Sequence, residues 1–237
     1  MGRDIFSQPI NGNSEADRVG HRSRLRGRFL ATSGEGMPDY ELLELLLMLA
    51  VPRRDVKPLA KQLIARFGDF AGVVSADIER LSQVKGLGDT AISAIKLAQA
   101  SAKRLLREQV IGRDVITSWQ NLIDYCRAAM AHEKVEQLRL LFLDRKNVLI
   151  ADEVQQRGTV DHAPLYVREV VKRDLELGAS AVILVHNYPS GDPTPSEGDI
   201  AITRDLRDAA EKLGIVLHDH VVIGRNGHRC FKALGLL

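Results

Sequence analysis

The sequence is poor in cysteine, in aromatic residues and in long hydrophobic runs. Its only two cysteines, Cys126 and Cys230, lie far apart and form no CxxC pair, so a disulfide framework is not indicated and a reducing cytoplasm fits best. The longest apolar run, 42–51, is interrupted by Glu44 and is far too short to cross a bilayer. Residues 1–8 have no apolar core, unlike a secretory signal. These absences predict a cytoplasmic protein without membrane association.

The sequence also lacks a strong excess of charge, since its formal net charge is only +2. One local exception runs from Arg18 to Arg28, with five arginines, one histidine and no acidic residue. Such a stretch can bind phosphates. It can equally be a solvated helix face or a flexible arm, and the sequence leaves both interpretations open.

The chain changes character near its middle, at 107–114. Residues 1–17 are polar and predict a loose tail. Residues 18–110 carry apolar positions at helical spacing and predict an all-α domain. Residues 115–237 alternate strand-like and helical stretches, which is typical of an α/β domain with a sheet covered by helices. The predicted helices are 18–32, 39–49, 55–67, 76–82, 89–109, 118–132, 164–177 and 196–213, and the predicted strands are 138–143, 148–152, 180–186, 215–223 and 229–232.

The segment VKGLG, between two predicted helices, resembles the helix-hairpin-helix motif of DNA-binding proteins. Gly86 and Gly88 permit a tight turn whose backbone N–H groups can approach a phosphate, at the positive end of the following helix. Lys85, Lys96 and Lys103 would add positive charge. Lys85, Gly86 and Gly88 are therefore candidate DNA-binding residues. The alternative is a turn that merely joins two packed helices.

The most informative segment is HNYPSGDPTPSEGD, which starts at His186. It resembles the JAMM signature, His-x-His followed by seven residues and Ser-x-x-Asp, with Ser196 and Asp199 at matching positions and Tyr188 in place of the second histidine. Glu153 ends a predicted strand upstream, where that family places its catalytic glutamate. Taken alone, Ser196 and Asp199 also resemble a helix capping box.

Together with YELLE at 40–44 and VKGLG, this segment resembles the RadC family of bacterial proteins over nearly all of residues 18–237. The resemblance implies an MPN/JAB-like α/β domain at the C-terminus, a mixed sheet flanked by helices. An all-α N-terminal region with a helix-hairpin-helix would precede it.

The resemblance also implies a zinc site and a reaction. Zinc would be bound by His186 and Asp199, with Tyr188 at the position of the third ligand. Glu153 would accept a proton from the zinc-bound water, and Ser196 would hold the oxyanion. The implied reaction is hydrolysis of an amide or isopeptide bond in a peptide-like substrate.

Tyr188 is the departure from the family pattern. A neutral phenol, with an ordinary pKa of about 10, is a poor zinc ligand. His218 and His220, two residues apart on a predicted strand, should face the same side, so one of them could approach the site. His162 and His228 have no spacing that recommends them, and all four histidines can instead be structural.

Three hypotheses follow from the sequence. The first is a zinc-dependent hydrolase that uses Glu153, His186, Ser196 and Asp199. The second, motivated by Tyr188, is a metal-free binding module that keeps the fold. The third is a DNA-associated accessory protein acting through the hairpin and the arginine-rich stretch.

Overall fold

The computed structural model describes residues 15–157 and 165–237. Its helices in these ranges are α1 (Glu15–Thr32), α2 (Asp39–Ala50), α3 (Lys57–Phe67), α4 (Phe70–Ser75), α5 (Ile78–Ser82), α6 (Asp89–Glu108), α7 (Trp119–Met130), α8 (Val167–Leu177) and α9 (Glu197–Glu211). The strands are β1 (Gln137–Leu143), β2 (Leu149–Arg157), β3 (Ala181–Asn187), β4 (Val216–Ile223) and β5 (His228–Cys230).

Residue contacts divide the chain into two compact units, Met1–Gln99 and Ala100–Leu237. The division falls inside α6, earlier than the boundary expected near 107–114. The sequence-based domain limits, 18–110 and 115–237, stay predictions.

The first unit is built from helices around one hydrophobic core. Leu43, Leu47, Leu63 and Leu81 are fully buried in it. They come from α2, α3 and α5, and their helical spacing aligns them on inward faces. The predicted all-α character of this part is confirmed.

The second unit contains a mixed sheet with the strand order β2-β1-β3-β4-β5. Strands β3 and β4 are parallel, and the other neighbouring pairs are antiparallel. Alternation along the strands buries both faces. Leu141 and Ile183 pack on the α7 side, whereas Leu140 and Leu184 pack with residues of α8 and α9. The predicted sheet flanked by helices is confirmed.

Three local features differ from expectation. Helix α1 begins at Glu15, so it overlaps the end of the predicted tail of 1–17. Helix α4 is not among the predicted helices, although Asp69 caps it by accepting a hydrogen bond from Gly72 N at 2.6 Å. Strand β2 continues to Arg157, which places Glu153 inside the strand and not at its end.

Within the two described ranges, the structure has no helix that is long and apolar enough to cross a membrane.

Candidate active-site pocket

The candidate site lies where β3 ends and α9 begins. His186, near the end of β3, is 2% exposed, and Ser196 is the N-cap of α9. A cavity of about 270 Å³ opens between these elements, and its wall includes His186, Ser196 and Asp199. Leu138 and Leu184 give the cavity an apolar side. Three of the residues predicted for the site, His186, Ser196 and Asp199, therefore meet at one cavity.

Asp199 is the centre of the hydrogen-bond network in this pocket. Its Oδ2 accepts hydrogen bonds from the Tyr188 hydroxyl, from Ser196 N at 2.7 Å and from Ser196 Oγ at 2.7 Å. Asp199 N in turn donates to Ser196 Oγ at 3.1 Å, which completes a capping box at the start of α9. Ser196 and Asp199 therefore both cap α9 and shape the site. Asp199 Oδ2 already accepts hydrogen bonds from other protein groups.

His186 is held from behind by a second buried histidine. Its Nδ1 lies 2.7 Å from Nε2 of His220, and His220 Nδ1 lies 2.6 Å from the Thr203 hydroxyl oxygen. That hydroxyl donates to the Asp199 carbonyl at 2.5 Å, so its oxygen must accept from His220 Nδ1. His220 Nε2 is then the acceptor for His186 Nδ1–H. The chain of bonds leaves the lone pair of His186 on Nε2.

The His186 Nε2 lone pair has no hydrogen-bond partner among the described residues. This atom is buried and lies 3.6 Å from Asp199 Oδ1. Two acceptors at this separation repel each other, and a donor or a cation placed between them would relieve the repulsion.

Burial dominates the protonation of the pocket. It lowers the pKa of His186 to about 4, despite the opposing effect of Asp199. Burial also raises the pKa of Tyr188 to about 12, and the bond to Asp199 adds to that shift. Burial alone would raise the pKa of Asp199, but His186, Tyr188 and Ser196 bring it below its ordinary value. At neutral pH the site therefore holds a neutral imidazole, a neutral phenol and a carboxylate.

This donor set supplies two metal ligands and not three. His186 Nε2 and Asp199 Oδ1 are well separated for adjacent ligands of one ion, since zinc binds N and O atoms at about 2.0–2.2 Å. Tyr188 is a neutral phenol that directs its proton at Asp199. Among residues 15–157 and 165–237, no group of three or more His, Cys, Asp or Glu side chains could hold a metal ion. The donor set of the described residues therefore does not fit a catalytic zinc site, which normally has three protein ligands.

Comparisons with known proteins agree with this fold. Residues 116–236 match the family model described as RadC-like JAB domain. A UPF0758 protein from Rhodobacter capsulatus is 60% identical over 213 residues, covering 90% of this chain and 100% of its own length. A UPF0758 protein from Ruegeria pomeroyi is 57% identical over 217 residues, covering 92% of this chain and 97% of its own. The chain belongs to the RadC family. The expectation of a RadC-like JAB domain is confirmed.

In this RadC-family chain, Glu153 forms a salt bridge with an arginine. Both carboxylate oxygens accept from Arg173 of α8, at 2.6 Å from Nη2 and at 2.9 and 3.1 Å from Nε. The register places Glu153 beside Leu140, and Leu140 beside Leu184, two residues before His186. Glu153 thus lies two strands away from β3 and is paired with a cation. Its predicted role as a proton acceptor stays a prediction.

Of the four histidines that could substitute as ligands, only His220 reaches the pocket among those in the described residues. A β-bulge in β4 interrupts the pairing between Leu217 and Asp219, and His218 bonds Asn147 Oδ1 at 2.7 Å instead. His228 lies in the edge strand β5. His162 lies outside the described residues. His220 acts behind His186, with its Nε2 already used, and does not replace the missing ligand.

Sequence reasoning missed Thr203 and Arg173. Thr203 is four residues after Asp199, one helical turn further along the same face of α9, and that spacing was the available signal. Arg173 had no comparable signal, because its contact with Glu153 joins elements that are distant in sequence.

In the first unit, VKGLG forms a tight turn between α5 and α6. Gly86 has a φ of +90°, and its carbonyl accepts from Arg54 Nη1 at 3.0 Å. Val84 and Leu87 are buried in the core. Lys96 donates to the Val74 and Ala76 carbonyls at 3.2 and 2.9 Å. These contacts give the turn a structural role, and DNA binding by Lys85, Gly86 and Gly88 stays a prediction.

The arginine-rich stretch lies on α1 and is partly engaged by the protein. Arg22 donates to the Val51 carbonyl at 3.0 Å. Arg28 pairs with Glu41, and His21 with Glu44 at 2.8 Å.

Proposed function

We propose that this RadC-family chain uses its JAB domain as a metal-free binding module for a peptide-like ligand, without zinc-dependent hydrolysis. The observation that carries the proposal is the bond from the Tyr188 hydroxyl to Asp199 Oδ2. It puts a neutral phenol at the position of the third metal ligand. The same bond occupies one oxygen of the carboxylate that would bind the metal.

The pocket's chemistry favours a ligand that donates hydrogen bonds. His186 Nε2 and Asp199 Oδ1 both present lone pairs, 3.6 Å apart. An amide N–H or an ammonium group would satisfy them. Leu138, Leu184 and Ile202 line the same cavity, so an apolar group beside the donor would be buried at the same time. Peptide-like molecules combine these two features.

The competing function is the JAMM-type zinc hydrolase. Its support is the pair formed by His186 Nε2 and Asp199 Oδ1, two of the three ligands that such a site needs. Against it stand the neutral Tyr188 and the pairing of Glu153 with Arg173.

The deciding experiment is elemental analysis of the purified full-length chain and of two variants at Tyr188. Tyr188→His supplies an imidazole as the third ligand, whereas Tyr188→Phe removes the hydroxyl but adds no ligand. We expect about one zinc per chain in Tyr188→His, and far less than that in the wild type and in Tyr188→Phe. Stoichiometric zinc in the wild type would overturn the metal-free proposal.

Ligand binding is tested on the wild type with n-butylammonium and N-butylacetamide, which join a donor to a short apolar chain. NMR signals of the His186 ring should shift in a saturable manner with at least one of them. If neither probe shifts these signals at high millimolar concentration, the pocket does not recognise hydrogen-bond donors.

A further inference from the structure

A second cavity lies on the α7 side of the sheet, away from His186. It has a volume of about 190 Å³ between α6, α7 and the start of β1. Among the described residues, its wall includes four cationic side chains, from Lys103, Arg104, Arg107 and Arg139, and one acidic side chain, from Glu133. All of these residues belong to the second compact unit.

Arg139 forms the inner wall of this cavity. Its side chain is 13% exposed, and Nη1 donates to Asp152 Oδ1 at 2.5 Å and to the Tyr125 hydroxyl oxygen at 3.0 Å. These bonds fix the guanidinium group in place. Its Nε is buried, and no hydrogen-bond acceptor for it exists within the described part of the protein. A buried donor without an acceptor is costly, so the Arg139 side chain has hydrogen-bonding capacity to spare.

Helix α6 supplies the other cationic side chains in the wall of this cavity. Lys103 and Arg107 are four residues apart on α6, and Arg104 is adjacent. Lys103 is held by the Ala129 carbonyl at 3.3 Å and lies 3.6 Å from Glu133 Oε1. Like charges at this spacing repel, and Glu133 offsets only part of the repulsion. Arg139 is already paired with Asp152, so an anion between α6 and Arg139 would mainly lower the electrostatic energy of the cations on α6.

We propose that this cavity binds a small organic anion through its phosphate or carboxylate group. Guanidinium groups match both kinds of oxyanion in geometry and charge. The cationic side chains converge on one cavity of about 190 Å³, which favours a small molecule over duplex DNA, whose phosphates are met by basic residues spread along a surface.

The test is calorimetric titration of the full-length chain at low ionic strength with inorganic phosphate, succinate and a short DNA duplex. Arg107→Gln removes a cation from the exposed rim and leaves the buried Arg139–Asp152 pair intact. Arg145→Gln is the matched control, because this exposed arginine follows the far end of β1 and makes the same change in net charge.

We expect saturable 1:1 binding of phosphate or succinate, weakened about tenfold by Arg107→Gln, as the loss of one charge-assisted hydrogen bond implies. Arg145→Gln should bind like the wild type. Preference for one probe identifies the recognised group as phosphate or carboxylate. The proposal is overturned if neither small anion binds, if only the duplex binds, or if Arg145→Gln weakens binding as much as Arg107→Gln.

Discussion

Asp174 is the most unusual single residue outside the two cavities. It lies on α8 and is fully buried, and within residues 15–157 and 165–237 neither carboxylate oxygen has a hydrogen-bond partner. Burial raises its pKa to about 7, because the low-dielectric interior disfavours the charged form. The folded protein therefore holds a proton here that the unfolded chain releases at a lower pH.

This linkage predicts a pH-dependent stability. Since the pKa of Asp174 is higher in the folded than in the unfolded state, its ionisation destabilises the fold as pH rises from about 4 through about 7. Asp174→Asn cannot ionise, so we expect it to be more stable than the wild type by a few kcal/mol at pH 8. The difference should shrink toward zero near pH 4. Urea unfolding at several pH values measures it.

The matched control is Asp208→Asn, which changes an exposed carboxylate paired with its neighbour Arg207. This variant should follow the wild-type pH profile. An advantage of Asp174→Asn that does not depend on pH would show that the pKa of Asp174 is the same in the folded and unfolded states.

Individual residues of the site show what the sequence could predict about it and what it could not. The spacing of His186, Ser196 and Asp199 located the pocket, and the departure at Tyr188 is visible without a structure. The sequence could not predict that Tyr188 would bond Asp199, or that Arg173 would pair with Glu153. Both outcomes depend on side-chain directions set by tertiary packing.

At the scale of elements, the turn between α5 and α6 depends on one of its two glycines. Gly86 has a φ of +90°, and a Cβ added there would lie 2.5 Å from Arg54 Nη2. A Cβ on Gly88 would meet no atom within 4 Å. We expect Gly86→Ala to destabilise the protein by about 1–2 kcal/mol through backbone strain. Gly88→Ala, the control, should change stability by less than about 0.5 kcal/mol.

Thermal or urea unfolding of the two variants gives the comparison. Equal stability losses would contradict the assignment of strain to Gly86. Because no DNA is present, the unfolding measurement tests the structural role of the turn separately from any role in DNA binding.

Most helices and strands could be predicted from the sequence because the spacing of apolar residues differs between the two kinds of element. The spacing along α6 is helical over its whole length, and β3 is a continuous buried run. Helix α4 is hard to predict because it is short and contains Gly72 and two β-branched valines, Val73 and Val74, which weaken a helical pattern. No feature of the sequence predicts the bulge in β4. A prediction that assumes strict alternation of side chains along this strand therefore places His218 on the wrong face of the sheet.

At the scale of the whole molecule, charge limits any association with DNA. The net charge is only +2, and several cations of the arginine-rich stretch are already paired. On α1, Arg24 and Arg26 are exposed. Few phosphates could be neutralised at once, and affinity in such cases is weak and strongly dependent on salt.

We therefore expect duplex DNA to bind only at low salt, with a slope of log K against log salt no steeper than about −3. Fluorescence anisotropy over a salt series measures this slope. Arg24→Gln with Arg26→Gln should make it shallower by about 1–2. Salt-independent binding, or no binding even at the lowest salt, would rule out a DNA-associated function that acts through the hairpin and the arginine-rich stretch.

The hydroxyl of Tyr188 has a consequence at the level of the gene. Tyrosine and histidine codons differ by one transition at the first nucleotide. The side chain that blocks the third ligand position can thus be exchanged for a zinc ligand in a single mutational step, while His186, Asp199 and the His220 support behind them stay in place. Under the metal-free proposal, a single base change therefore separates this pocket from one with three zinc ligands.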